Sequence, residues 1–151
     1  MGYISDLREK VGHIPIIGTG TTALVFNDKN EVLLNLRSDT NTWGIPGGLK
    51  ELNESLEECA IRELKEEANI DVKKLQLLAV LSGKEYYFIY PNQDEMDGVI
   101  VLYKVLEYDG EIRINDDESK KLKFFSLDNL PVLESRAKAI FDKIINKEII
   151  I

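Results

Sequence analysis

Apolar residues recur with two different periods along this chain. At Leu56, Ala60, Leu64 and Ala68 they fall every four residues, which aligns them on one face of a helix from about Glu54 to Ala68. Ser55 and Glu58 make a capping-box pair for its start, and Asn69 suits a left-handed stop. Helical spacing returns at Leu133, Ala137, Ile140, Phe141, Ile144 and Ile145, and Ser5 can cap a short helix over Asp6–Val11. Elsewhere the pattern is extended. Ile14–Phe26 is dense in β-branched residues, with Gly18 and Gly20 pointing to a bulge or a close backbone approach. Asn27-Asp28-Lys29-Asn30 supplies turn chemistry, so Glu31–Arg37 is expected to return as the second strand of a hairpin. Further strands are expected at Leu75–Leu81, Tyr86–Tyr90, Val99–Glu107 and Leu122–Ser126. Pro91-Asn92-Gln93 and Asp97-Gly98 provide the turns between the middle two. Strands and helices mix without strict β-α-β alternation, which predicts an α/β (α+β) fold with a central mixed sheet flanked by helices. No repeat, low-complexity tract or linker interrupts the chain, so residues 1–151 read as one domain.

Composition changes little in this picture: 44% apolar and 30% charged is an ordinary globule. Charge changes more. Twenty-seven acidic against 19 basic residues leave −8, which argues against non-specific attraction to nucleic acid or to anionic membranes. Between Gly48 and Ile70, three basic residues against seven glutamates leave −4. Cys59 is the lone cysteine, so neither an internal disulfide nor a multi-cysteine zinc site is available. No secretory signal is visible, and no apolar run reaches the roughly 18 residues of a membrane helix, so a cytoplasmic location without a membrane partner is expected.

On the 54–68 helix, Glu63, Glu66 and Glu67 share one side, and Glu63 and Glu67 form a like-charge pair four residues apart. Such a pair costs about 0.2–0.5 kcal/mol by itself. Arg62 can pair one turn away with Glu58 or Glu66, whereas Lys65 is badly placed to relieve that face. A solvated acidic surface would account for an arbitrary glutamate-rich helix. Here the cluster abuts Trp43-Gly44-Ile45-Pro46-Gly47-Gly48, where glycines let backbone carbonyls approach a ligand closely. Hard divalent cations such as Mg²⁺ take several oxygen ligands, usually carboxylates, water and substrate phosphates.

Gly48, five residues, Glu54, seven residues, then Arg62-Glu63-Leu64-Lys65-Glu66-Glu67-Ala68-Asn69-Ile70 resembles the Nudix box. The family pattern is G-x5-E-x7-R-E-U-x-E-E-x-G-U, with U a bulky aliphatic. Asn69 replaces its last glycine, and Asn53 stands where a glycine usually precedes the first glutamate. Asparagine tolerates positive φ better than other non-glycine residues, so both positions keep the turn. Trp43–Gly48 resembles the family's W-x-x-P-G-G lead-in, and Phe124–Pro131 resembles its closing aromatic strand, so the similarity spans about residues 15–145.

The resemblance implies a Nudix-like α/β/α sandwich and a Mg²⁺- or Mn²⁺-dependent pyrophosphohydrolase. In such enzymes water attacks a phosphorus of a nucleoside diphosphate linked to another moiety. It implies Glu63 and Glu67 as leading metal ligands, with Glu66 and the Gly48 carbonyl alongside and Glu54 assisting the metal cluster. Arg62 would orient a box carboxylate. Glu118 matches the family's usual placement of a general base outside the box, and Glu63 is the other candidate. Glu63, Glu66, Arg62 and Glu118 thus make the candidate catalytic set. Asp94, Glu95 and Asp97 read more naturally as hairpin residues, and Cys59 and His13 as a small helix residue and an exposed histidine. Trp43 reads as packing for the glycine-rich loop. Some relatives that act on diadenosine polyphosphates carry a Tyr in the region of Tyr86, Tyr87 and Tyr90. ADP-ribose-type relatives tend to carry a Pro there, and the placement of this chain's Pro at 91 lowers that option. The alternative is a Nudix-fold sensor or interaction module without turnover, but such modules usually lose box carboxylates and every one is kept here. The expected partner is a small nucleotide-like diphosphate, with long RNA disfavoured by the charge. The apolar tail Ile149-Ile150-Ile151 can pack on the domain or on a second subunit, which leaves a homodimer open.

Overall fold

Period-two alternation along the strands sorts the core into two layers. The structure is a computed structural model that describes residues 2–151. The chain runs α1 (Tyr3–Val11), β1 (Ile16–Leu24), β2 (Val32–Arg37), β3 (Trp43–Gly44), β4 (Gly47–Leu49), α2 (Leu56–Ala68) and β5 (Asp71–Leu81). It continues through β6 (Tyr87–Ile89), β7 (Glu95–Asp109), β8 (Ser119–Phe125) and α3 (Ser135–Ile145). A mixed sheet has the order β4-β1-β7-β5, with β1 parallel to β7 and the other pairs antiparallel, and β6 also pairs with β7. Ala23, Val25, Val101, Tyr103 and Val105 meet Ala60, Leu64 and Ala68 of α2. Their alternates Leu24 and Leu102 pack with Ile140, Phe141 and Ile144 of α3. The expected mixed sheet between helices is therefore observed, with one helix on each face.

Local signals at α2 are obeyed closely. Ser55 Oγ accepts from the Glu58 N–H at 3.0 Å, the Glu58 carboxylate accepts from the Ser55 N–H at 2.8 Å, and Asn69 is left-handed at φ 60°. Gly20 is a close approach rather than a bulge: a Cβ there would stand 2.7 Å from the Gly48 carbonyl oxygen. Ile149 packs into the α3 core layer, and Ile150 is exposed. No helix among the described residues is long and apolar enough to cross a membrane.

Three local expectations are corrected. The 27–30 turn does begin an antiparallel return, with the Leu33 N–H donating to the Val25 carbonyl at 2.8 Å. The two strands then part, and β2 becomes the centre of a second sheet in the order β3-β2-β8. The reason is competition: β4 and β7 already occupy both edges of β1. Asp97-Gly98 is not a turn but lies inside β7, where Gly98 pairs with Gly18 of β1. The reversal is made at 90–94, where the Tyr90 N–H donates to the Asp94 carbonyl at 2.8 Å and Gln93 takes φ 77°. Ser5 lies within α1 rather than capping it, because the helix starts at Tyr3 behind Gly2.

Candidate active site

The box glutamates do not share one environment. Glu63 and Glu67 turn inward and are 9% and 3% exposed, whereas the Glu66 side chain is half open to solvent. Arg62 binds the group together. Its Nε and Nη2 donate to both oxygens of Glu54 at 2.6 and 3.0 Å, a bidentate pair. Its Nη1 donates to Glu63 at 2.9 Å and to Glu66 at 3.2 Å, and Nη2 also reaches the Leu49 carbonyl at 3.1 Å. Glu58 is not a partner because the helix cap consumes it.

These contacts split the carboxylates electrostatically. The Arg62 hydrogen bonds hold Glu54 down at about 2 and raise the guanidinium further. Burial pushes Glu63 up to about 7, more than its share of Arg62 lowers it. Glu67 is driven well above the carboxylate range, first by burial and then by the charge of Glu63; its hydrogen bond from the Gly47 N–H, at 3.0 Å, opposes this only in part. A Cβ at Gly48 would meet the Glu63 carboxylate, so a side chain there would displace that carboxylate. The Gly48 carbonyl oxygen lies against Gly20 and accepts from the Cys59 thiol at 3.6 Å.

Glu118 arrives from the loop between β7 and β8. Carboxylate oxygens of Glu67, Asp116 and Glu118 lie within 4.8 Å of one another, and Glu118 is raised by burial and by Asp116. The loop is fixed on its far side by the Ser38 N–H donating to the Glu118 carbonyl at 2.9 Å. The result is a cleft of about 870 Å³ in which Glu63, Glu66, Glu67 and Glu118 face Arg37 and Tyr90. Arg37 is held by Asp39 through two hydrogen bonds of 2.9 and 2.8 Å. The structure thus brings together every candidate glutamate, with Glu54 reaching the group through Arg62.

The other titratable candidates are occupied elsewhere. His13 pairs with Asp94 at 2.7 Å on the surface, and Glu95 accepts from the Tyr87 hydroxyl at 2.8 Å. Cys59 is buried, and burial pushes its thiol up, away from a reactive thiolate. Trp43 packs edge-on to Phe125 at 4.8 Å. Of the three tyrosines, Tyr90 alone lines the cleft; Tyr86 is in the core. Sequence reasoning singled out neither Asp116 nor Arg37, and it named Tyr90 only together with Tyr86 and Tyr87. The acidic run 116–118 was visible, but nothing local tells which of its carboxylates faces the helix.

The NUDIX domain model matches residues 17–146. The chain is similar to an ADP-ribose pyrophosphatase of Methanocaldococcus jannaschii, 34% identical over 113 residues, which are 72% of this chain and 62% of that protein. It is also similar to a putative 8-oxo-dGTP diphosphatase of Bacillus subtilis, 32% identical over 114 residues, 75% of this chain and 69% of the relative. The chain therefore spans less than two thirds of the archaeal relative's length. A crystal structure of a MutT NUDIX hydrolase from Burkholderia pseudomallei superposes with a TM-score of 0.72 at 26% identity, covering 85% of this chain and 98% of that one. With the box helix, its cap and its acidic cleft all inside the matched span, the chain belongs to the NUDIX family.

Proposed function

We propose that residues 1–151 act as one hydrolase domain that uses Mg²⁺ or Mn²⁺ to cleave the pyrophosphate linkage of a nucleoside diphosphate joined to another moiety. The observation that carries this reading is the pair of buried carboxylates Glu63 and Glu67, which face the cleft with Arg62 as the one cation ion-paired to either among the described residues. Burying carboxylates in this way is costly unless a cation joins them. The donor set is all oxygen, which suits a hard divalent ion rather than a thiolate-seeking one. Glu63, Glu66, Glu67 and the Gly48 carbonyl would hold it. When bound, the cation polarises phosphoryl oxygens and offsets charge on the leaving group.

The protein's own groups supply the remainder. Arg62 locks Glu54, Glu63 and Glu66 in register. Glu118, its pKa raised by burial, accepts a proton from the attacking water as the water oxygen bonds to phosphorus and the bridging P–O bond breaks. Arg37 and Tyr90, across the cleft, meet the phosphate and the attached moiety. Retention of every box carboxylate favours turnover over a silent module. ADP-ribose and nucleoside triphosphates are the first substrates to test, on the names of the relatives, although Pro91 lowers the ADP-ribose option.

The test is a panel of ADP-ribose, other nucleoside diphosphate sugars, dinucleoside polyphosphates and nucleoside triphosphates, each with Mg²⁺, Mn²⁺ or EDTA. Phosphate is read after coupling to a phosphatase. Metal-dependent release on one class supports the proposal. Folded protein that releases nothing on any of them rejects it.

A further inference from the structure

The loop 110–118 that carries Glu118 is tied to the C-terminal end of α2 by four hydrogen bonds. The Arg113 N–H donates to the Ala68 carbonyl at 3.1 Å, and the Asn115 N–H to the Glu67 carbonyl at 3.3 Å. The Asn115 side-chain amide donates to the Lys65 carbonyl at 3.0 Å. The first two end on carbonyls of the last helical turn, which have no partner within the helix itself, and the third joins the Asn69 N–H, at 3.1 Å, on the Lys65 carbonyl. The fourth runs the other way: the Asn69 side-chain amide donates to the Glu111 carbonyl at 2.9 Å, while its oxygen accepts from Lys65 Nζ at 3.1 Å. Gly110 makes the contact close, since a Cβ there would stand 2.6 Å from the Asn69 carbonyl oxygen.

Asn69 is the one fixed box position where this chain departs from the pattern. A glycine would adopt the same left-handed backbone, φ 60°, but has no amide to offer the loop. The departure therefore keeps the turn and adds a tether. The tether holds together the carboxylates of Glu67, Asp116 and Glu118, within 4.8 Å of one another, which repel when ionised.

We infer that Asn69 is a positioning residue which, with Asn115, clamps loop 110–118 onto the box helix and so holds Glu118 beside Glu67. The inference rests on the proposed hydrolase reading, with Glu118 as the proton acceptor, and its test separates the two. Asn69→Gly keeps the left-handed turn, so the fold is retained. Asn69→Asp keeps the side-chain size and the Lys65 contact but cannot donate to Glu111. Both variants should lower kcat about 10-fold with KM changed less than about 2-fold, the signature of a displaced catalytic group. On a Glu118→Gln background, Asn69→Gly should add no further loss, because the two act as a unit. Amide hydrogen exchange in segment 110–118 should speed up about 10-fold in Asn69→Gly, measured without substrate or metal.

Unchanged exchange overturns the clamp. Faster exchange with unchanged kcat overturns its role in positioning, and so does a loss that adds fully to that of Glu118→Gln. A wild-type chain without metal-dependent turnover overturns the hydrolase reading, and the exchange measurement still decides the clamp.

Discussion

Glu54 and Glu63 flank one guanidinium and end on opposite sides of the ordinary carboxylate range. Arg62 grips Glu54 with two hydrogen bonds of 2.6 and 3.0 Å and holds it down at about 2. It gives Glu63 one bond of 2.9 Å, and burial pushes that carboxyl up to about 7. Residue type and partner are the same, so the difference is one of hydrogen-bond count and desolvation. Glu54 is a strut that stabilises the fold as an anion, whereas Glu63 and Glu67 are anions the fold tolerates at a cost. On the proposed reading, a cation would offset that cost, which burial sets first and mutual charge second.

The largest effect that would break this contrast is on turnover. Glu67→Gln should lower kcat on the order of 10²–10³-fold, the scale of losing one group aimed at developing charge. The same change should raise the melting temperature of the EDTA-treated protein at alkaline pH, where ionising the buried Glu67 carboxyl costs stability. It should also blunt the thermal shift produced by Mg²⁺. Melting curves at alkaline pH with and without Mg²⁺ check both signs, and a variant that is less stable there in EDTA would contradict the reading.

Next comes pH. Glu63 has a folded pKa raised from about 4.5 to about 7, so its contribution to stability is full below pH 4.5 and is lost as pH rises through 7. Glu67 and Glu118 act in the same direction. Glu54 has a folded pKa depressed to about 2, so its contribution is present above pH 4.5 and is lost as pH falls through 2. These groups together predict that the metal-free protein is most stable near pH 4.5. Glu63 alone accounts for a decline of up to about 3 kcal/mol toward neutrality. Denaturant melts from pH 3 to 8 in EDTA would show the decline. Mg²⁺ should flatten it, since a bound cation favours the ionised carboxylates, and Glu63→Gln should flatten it without Mg²⁺.

Much of this was legible in the sequence because it is local. Box spacing, the Ser55–Glu58 cap and the Asn69 stop all lie within 23 residues, Gly48 to Ile70, and the helix obeys them. The departures come from long-range competition. Turn chemistry at 27–30 predicts a hairpin, but cannot show that β4 and a strand 80 residues away, with Thr21 opposite Val101, take both edges of β1. Asp97-Gly98 looks like a turn until that parallel pairing pulls it into β7. Arg37 escaped notice, and Tyr90 could not be told from Tyr86 and Tyr87, because their place in the cleft depends on the separation of the two sheets. The order of pKa values was hidden for a similar reason: it depends on which of four nearby glutamates Arg62 grips twice.

Smaller effects sharpen the contrast at its hinge. Arg62→Ala should cost about 2 kcal/mol, below the ~3–5 kcal/mol of a fully buried broken pair because the guanidinium is 28% exposed. Glu54→Gln should cost less, about 1 kcal/mol at neutral pH, because a neutral amide still accepts one hydrogen bond from Arg62. Its informative consequence lies on the other carboxylate. With Glu54 neutral, the guanidinium turns its unspent charge toward Glu63 and stabilises the ionised form. The EDTA-stability decline should then begin at lower stability, be shallower, and finish at a pH below 7. A decline unmoved by Glu54→Gln would mean that burial alone sets Glu63, and that the two carboxylates share an arginine without competing for it.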